Sequence, residues 1–308
     1  MDPVDDAKMI TEAGGLVLSG TSKFMDSLLR LRPGLVTASE ARGIASSNRT
    51  MLDAIEETRS RCEGMGLPQE TTDAMCIRVA NEFSKSENLS SCLSFARDVV
   101  GDDYDTSNVD HSWFLKWSDH ASEQCDDEMR VIWGNLLAGE LEQSSSYSKH
   151  TMSVLADMSA DDAKSFSELC STGVYVCSGN IVSTAMPHII MVEDESGSTF
   201  NNGLFNYSKR SQLESLGVID SSIRSYFTVR PGETTSFIVG NRLITARNDT
   251  DSDKEFSASP VLTKSGLELS RLCEIGTCSN LAEYLAKAIM KCELTVYSDL
   301  RTYEITGE

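Results

Sequence analysis

Residues 126–141 read Asp-Asp-Glu-Met-Arg-Val-Ile-Trp-Gly-Asn-Leu-Leu-Ala-Gly-Glu-Leu. Met129, Ile132, Trp133, Leu136, Leu137 and Leu141 recur at the i, i+3, i+4, i+7 spacing that lays apolar side chains along one face of a helix. Asp126 supplies an N-cap, and with Asp127 and Glu128 it puts negative charge at the positive end of the helix dipole. The spacing predicts a buried helix in which Trp133 and Leu137 are core anchors and Ala138-Gly139 lets another backbone approach closely. Glu140 and Glu142 are two residues apart and do not share a helix face. That argues against a paired-carboxylate site. Glu140 reads instead as a cap, or as a partner across a helical hairpin.

The neighbouring segments extend the helical pattern. Asp110 is placed to cap a helix carrying Trp113, Phe114, Trp117 and Ala121, so all three tryptophans lie within residues 113–133. Ser148 opens a helix with Thr151, Met152 and Leu155. Ser159 and Asp162 cap another, with Ala163, Phe166, Leu169 and Cys170 facing inward. Short loops between these helices imply antiparallel neighbours. Upstream, residues 69–100 read as a helix offering Met75, Ile77, Val79, Phe83, Leu93, Phe95 and Val99 to a core. Gly64-Met65-Gly66-Leu67-Pro68 breaks the chain before it. Thr37 to Cys62 reads as a long polar helix with a sparse stripe of Ile44, Leu52 and Ile55, suited to packing on a partner or a second subunit. Residues 4–31 read as a packing helix stopped at Arg32-Pro33.

After Gly173 the texture changes. Val174–Val176 and Ile189–Val192 read as strands. Residues 206–217 read as a helix ending in Leu216-Gly217-Val218-Ile219. Tyr226–Val229 and Phe237–Ala246 read as strands forming a hairpin around Arg230-Pro231-Gly232-Glu233. Residues 261–269 read as a strand running into a helix, residues 280–291 as a final helix, and residues 294–297 as a return to a sheet. This order is how many winged-helix domains read. The expected fold class is therefore α+β, mainly α: an N-terminal helical region over 1–101, a tryptophan-box helical domain over 108–172, and a winged-helix-like α+β domain over 173–308.

The box also carries a resemblance. The Asp-x-x-Trp opening at Asp110, the run through Trp133 to Glu140, Ser148, Leu155 and Asp162-Ala163-Lys164-Ser165-Phe166 resemble a bacterial and prophage domain-of-unknown-function family, number twenty-eight-oh-six. The Leu-Gly-Val-Ile and Leu-Thr-x-x-Gly-x-Glu-Leu elements are similar to that family's tail, and Arg30-Leu31-Arg32-Pro33 resembles its front. The resemblance implies no activity, substrate or catalytic residue. A short form of the box, Leu-Trp-x-x-Leu-Leu-Ala, is similar to one in some abortive-infection proteins. That implies anti-phage immunity by association of the box, not by mechanism.

The net charge of -20 argues against free association with nucleic acid or an anionic membrane. The charge is uneven. Residues 62–170 carry 21 Asp and Glu against 7 Lys and Arg, which raises the alternative of an acidic inhibitor mimicking nucleic acid. Residues 205–247 carry six basic residues against three acidic ones. Lys209, Arg210, Arg224, Arg230 and Arg242 are therefore the candidate contacts for a partner or for nucleic acid, the second alternative being a winged-helix DNA-binding regulator. Nine cysteines without a Cys-x-x-Cys read as small buried hydrophobes in a reducing cytoplasm. The acidic N-terminus does not read as a signal peptide, and no apolar run is long enough to span a bilayer. His111, His120 and Cys125 lack metal-ligand spacing, and Asp102, Asp103 and Asp105, like Asp249, Asp251 and Asp253, lack the glycine of a calcium loop. No catalytic residue, metal or cofactor is expected. The expected function is non-enzymatic protein–protein recognition with self-association, in bacterial immunity or in contact with a phage component.

Overall fold

The computed structural model describes residues 47–101, 109–178, 181–182, 187–189 and 207–299. The helix expected over residues 4–31, the start of the one expected from Thr37, and Asp102–Asp105 lie outside the described residues. Among the described residues the chain is α+β and mainly α, with nine helices and only antiparallel strand pairing. It forms two compact units, Met1–Lys149 and His150–Glu308.

The first unit is helical: α1 (Ser47–Gly64), α2 (Gln69–Val100), α3 (His111–Ser122) and α4 (Asp127–Glu142). A Schellman turn ends α1. Gly66 takes φ +67°, its N–H reaches Glu63 O at 2.9 Å, and the Leu67 N–H reaches Cys62 O at 3.1 Å. Pro68 then starts α2, which doubles back along α1. Cys76 Sγ lies 3.7 Å from Ile55 O, and Arg59 pairs with Asp73 at 3.7 Å.

At 32 residues α2 is about 48 Å long at 1.5 Å per residue, and its two halves differ. In the first half only Thr72 and Cys76 are buried; in the second, Asn88, Leu89, Cys92, Leu93 and Ala96 are. Three residues expected in the core are on the surface instead: Met75 is 45% exposed, Ile77 61% and Val99 54%. The reason is geometric. In the first half the buried positions carry the small Thr72 and Cys76, so Met75 and Ile77 turn outward; in the second half Leu93, as expected, is buried with Leu89, Cys92 and Ala96, and Val99 lies on the outer side.

Helix α4 packs on that second half, and the close approach occurs at Gly134. A Cβ there would stand 2.5 Å from Phe95 Cβ and 2.9 Å from Cys92 O. This corrects the expectation that placed the backbone contact at Gly139, where a Cβ would meet the Tyr147 ring. Arg130 secures the start of α4. Its guanidinium donates to Gln124 O (2.9 Å), Asn88 Oδ1 (2.8 Å) and Cys125 O (3.0 Å), and pairs with Asp127 (2.7 Å). Asn88 Nδ2 in turn donates to Ser122 O at 3.0 Å, so one polar cluster ties α2, α3 and the connecting loop together.

The second unit holds most of α5 (Lys149–Ala156), then α6 (Ala160–Cys170), β1 (Gly173–Ser178), β2 (Ile181–Val182), β3 (His188–Ile189), α7 (Tyr207–Ser215), β4 (Ile219–Asp220), β5 (Ser225–Val229), β6 (Thr234–Val239), β7 (Arg242–Arg247), β8 (Lys254–Ala258), β9 (Val261–Leu262), α8 (Lys264–Ser270), α9 (Leu281–Lys291) and β10 (Thr295–Asp299). Ser159 and Asp162 form a capping box at the start of α6. The sheet runs β10-β7-β6-β1-β2, with β3 also on β1.

Two separate two-stranded ribbons pair β4 with β9 and β5 with β8. The hairpin expected around Arg230–Glu233 is therefore corrected: β5 leaves for β8, and the hairpin is β6–β7, turned at Gly240 with φ +57°. Asn248 explains the parting. It is fully buried, its Nδ2 donates to Val229 O (2.7 Å) and Ser252 O (2.8 Å), and its backbone clips residues 232–233. The segment 230–233 is thereby a connector between sheets.

One face of β1, β6 and β7 presents Val174, Val176, Phe237, Val239, Ile244 and Ala246 to the core. Leu281, Leu285 and Ile289 of α9, four apart, supply the matching stripe. Phe256 bridges to the β5–β8 ribbon, stacked on Phe227 at 4.9 Å and edge-on to Phe237 at 5.1 Å.

Candidate functional site

The tryptophan box is a packed core held by its own indoles. Asp110 Oδ1 accepts from Trp113 N at 2.8 Å and starts α3; Asp126 Oδ1 accepts from Met129 N at 3.1 Å and starts α4. Trp117 and Trp133 have no exposed surface, and Trp113 has almost none. The Trp117 indole N–H donates to Trp133 O at 3.0 Å, fixing the axial register of α3 on α4. The Trp113 indole N–H donates to Tyr147 O at 2.7 Å.

Glu140 completes this link. It is 2% exposed, and its carboxylate accepts from Ser145 N at 2.7 Å and Tyr147 N at 3.0 Å. The Tyr147 ring in turn covers Gly139. Leu137 is fully buried. Trp133 differs from the other two: its indole N–H is buried and has no acceptor among the described residues. The His120 ring lies 5.6 Å from it.

The basic candidates do not gather at one place. Lys209 pairs with Glu168 of α6 at 2.6 Å, and Arg210 Nε donates to Ser221 Oγ at 2.7 Å. Arg224 and Arg230 flank opposite ends of the five-residue β5, about 20 Å apart at 3.3 Å per residue. Arg230 faces Glu233 at 3.9 Å. Arg242 starts β7 opposite Val239, at the far end of the hairpin from Thr234.

The buried carboxylates are occupied locally. Asp162 Oδ2 accepts from Ser159 N (2.9 Å) and Oγ (2.7 Å) in its capping box. Glu268 Oε2 accepts from Thr151 Oγ1 at 2.6 Å, and Thr151 Oγ1 also lies 3.2 Å from Ser265 Oγ. This polar cluster fastens α5 to α8. A cavity of about 20 Å³, room for about one water, is lined by His188, Ser225, Ala258, Pro260, Leu262 and Leu267 among others. His188 is edge-on to Phe227 at 4.8 Å, and burial lowers its pKa below the ordinary imidazole value.

Among the described residues no group of His, Cys, Asp and Glu is arranged to hold a metal ion, and no helix is long and apolar enough to cross a membrane. His111 and His120 lie on α3, while Cys125 lies in the loop after it. The loop carrying Asp249, Asp251 and Asp253 is organised by Asn248, whose Oδ1 accepts from Thr250 N and Oγ1. Burial raises the Cys92 thiol to about 12, which makes it inert as a nucleophile.

The structure adds residues that spacing did not single out. Gly134 carried a signal, since a glycine inside a helix often marks close backbone approach. Tyr147 and Arg130 carried none, because their main partners lie across loops or on other helices.

No curated protein and no solved structure matches the chain. One family model does, described as a protein of unknown function (DUF2806), over residues 77–286. The match takes in α3 and α4 with their tryptophans and continues into α9, so it covers more than half of the chain. The chain belongs to the DUF2806 family.

Proposed function

We propose that this protein acts without catalysis, by protein–protein recognition and self-association, in bacterial anti-phage immunity or a phage-related process. The observation that carries the recognition reading is the α1–α2 hairpin. Leu52 is 57% exposed, Met65 at its tip 75%, and Met75 and Ile77 also face solvent, while its interior holds little more than Cys62, Thr72 and Cys76. A hairpin with exposed large aliphatics and a thin interior gains from a partner that covers them. The immunity reading rests on the likeness of the box to abortive-infection proteins.

Size-exclusion chromatography with light scattering tests self-association. The expected result is a concentration-dependent oligomer that Met65→Glu with Ile77→Asp dissociates; a strict monomer at high concentration removes this half of the reading. Plating a broad phage panel on cells with and without the gene tests the rest. Protection lost in the double variant supports it, and no protection against any phage counts against it.

For the C-terminal unit the reading is a winged-helix-like module contacting protein rather than DNA. Two observations support it. Lys209 and Arg210 are engaged by Glu168 and Ser221. The β6–β7 hairpin, which would be the wing, has β1 and β10 on its two sides. A gel shift comparing the wild type with Lys209→Glu plus Arg210→Glu discriminates: salt-dependent binding lost in the variant would put a DNA-binding regulator in its place.

A further inference from the structure

One face of α2 is open to solvent along its first half and packed along its second. At about 100° per residue, Glu70, Ala74, Ile77, Arg78 and Asn81 fall within an arc of about 100°. All five are exposed. Thr72 and Cys76, whose sulfur lies against α1, are on the opposite side. Beyond Asn81 the same arc runs on through Asn88, Cys92 and Ala96, which are buried. There α4 covers it: Arg130 bonds Asn88 Oδ1 at 2.8 Å, and a Cβ on Gly134 would stand 2.9 Å from Cys92 O. The open stretch therefore continues a helix-packing face. Its charges are arranged about Ala74. Glu70 stands four residues before it and Arg78 four residues after, each about 6 Å along the axis at 1.5 Å per residue. Among the described residues neither side chain has an ion-pair partner.

We propose that a second copy of the chain occupies this face, α2 antiparallel to α2 about a two-fold axis at Ala74, with Glu70 of each helix facing Arg78 of the other. The pairing rests on the self-association proposed above and specifies its geometry. A two-fold contact needs one patch that complements itself. This face does so because its charges are opposite in sign and equally far from its centre. A parallel pair would instead set Glu70 on Glu70 and Arg78 on Arg78. The small Ala74 lets the two backbones approach at the crossing, and Ile77, 61% exposed, lies within one turn of it and is covered. The arrangement also leaves room for the hairpin tips. With Ala74 at the centre, residues 65–67 of one copy reach residues 81–83 of the other, short of Asn88, where α4 takes over the face.

The test measures dimer dissociation of the full chain by sedimentation velocity over a range of concentrations. Glu70→Arg and Arg78→Glu should each weaken the dimer about tenfold, because each turns two attractions into two repulsions. An equimolar mixture of the two variants should recover wild-type affinity, since every charge pair at the crossing is then attractive. Raised salt should weaken both the wild type and the mixture. Ala74→Arg should weaken the dimer with no rescue by either charge variant. All three positions are exposed, so thermal unfolding of the variants should match the wild type. A mixture no tighter than either variant alone would overturn the pairing. So would a dimer that neither single reversal weakens. In both of those cases the protein still associates and the broader self-association reading stands, whereas a strictly monomeric wild type removes both.

Discussion

The two halves of α2 share one helix and differ in what holds them. The second half is pressed against α4 through Gly134, bridged by Arg130 to the loop before α4, and backed by indoles that hydrogen-bond to main-chain carbonyls. The first half has α1 for company, two buried side chains and one exposed ion pair. The difference teaches that helical continuity does not distribute stability evenly. The box half is a core, and its loss should unfold the first unit. The hairpin half is a surface supported by a short turn, where substitutions should alter association before stability.

Truncating the box should have the largest effect. Trp133→Ala or Trp117→Ala is expected to cost about 3–5 kcal/mol in denaturant titration, through a large cavity in a core that cannot collapse. Trp117→Ala also removes the bond to Trp133 O. If Trp133→Ala stays fully stable, the contrast between the halves is wrong. Trp133→Phe sharpens the point. Its indole N–H has no acceptor among the described residues, so removing that donor should relieve part of the lost packing, and the cost should fall well below that of alanine.

Gly134→Ala comes next. The added methyl meets Phe95 Cβ and a main-chain carbonyl, and the helices must part, for about 1–3 kcal/mol. Gly139→Ala meets only the Tyr147 side chain, which can shift, and should cost less. The same titration ranks the two, and a reversed order would return the backbone contact to Gly139. Arg130→Met should cost about 1–3 kcal/mol, since it strands Asn88 Oδ1 and the carbonyls of Gln124 and Cys125.

In the hairpin half, Ile77→Asp should change stability by less than about 0.5 kcal/mol while lowering the oligomer fraction in light scattering. A large loss of stability there would erase the distinction. The smallest effect concerns pH. Asp110 is held below the ordinary carboxylate range by bonds from Ser112 and Trp113 N–H. Its folded pKa lies under its unfolded one. The contribution is therefore present above about pH 4 and fades as pH falls through the folded value. Titration of the Asp110 carboxyl by NMR should show a pKa below that of a free aspartate, and an ordinary value would deny the cap.

Much of the first unit was legible because its signals are local. Asp110 and Asp126, like the Ser159–Asp162 box of the second unit, act within three residues of themselves, so the caps could be read from spacing. The face of α4 was legible because a 3.6-residue period survives any tertiary arrangement that buries one side. For α2 the period was misleading. Leu93 is buried as expected, but Met75, Ile77 and Val99 are not, because the buried positions of the first half carry Thr72 and Cys76, small side chains with little hydrophobic signal. The hairpin in the second unit was misplaced for a related reason. Arg230-Pro231-Gly232-Glu233 has turn chemistry, but pairing is decided between strands far apart in sequence, here by Asn248 clipping the connector.

The sequence by itself determined the helices of the first unit, their caps, the box face, the mixed α+β character and the family. Those follow from backbone hydrogen bonds and side-chain periods that span a few residues. Only the tertiary structure decided that Gly134 rather than Gly139 is the close contact. It alone sent β5 to β8 and engaged Lys209 with Glu168. Each of these depends on groups distant in sequence meeting at a few ångströms, where packing and the pairing of buried polar groups select one arrangement among many that local pattern allows.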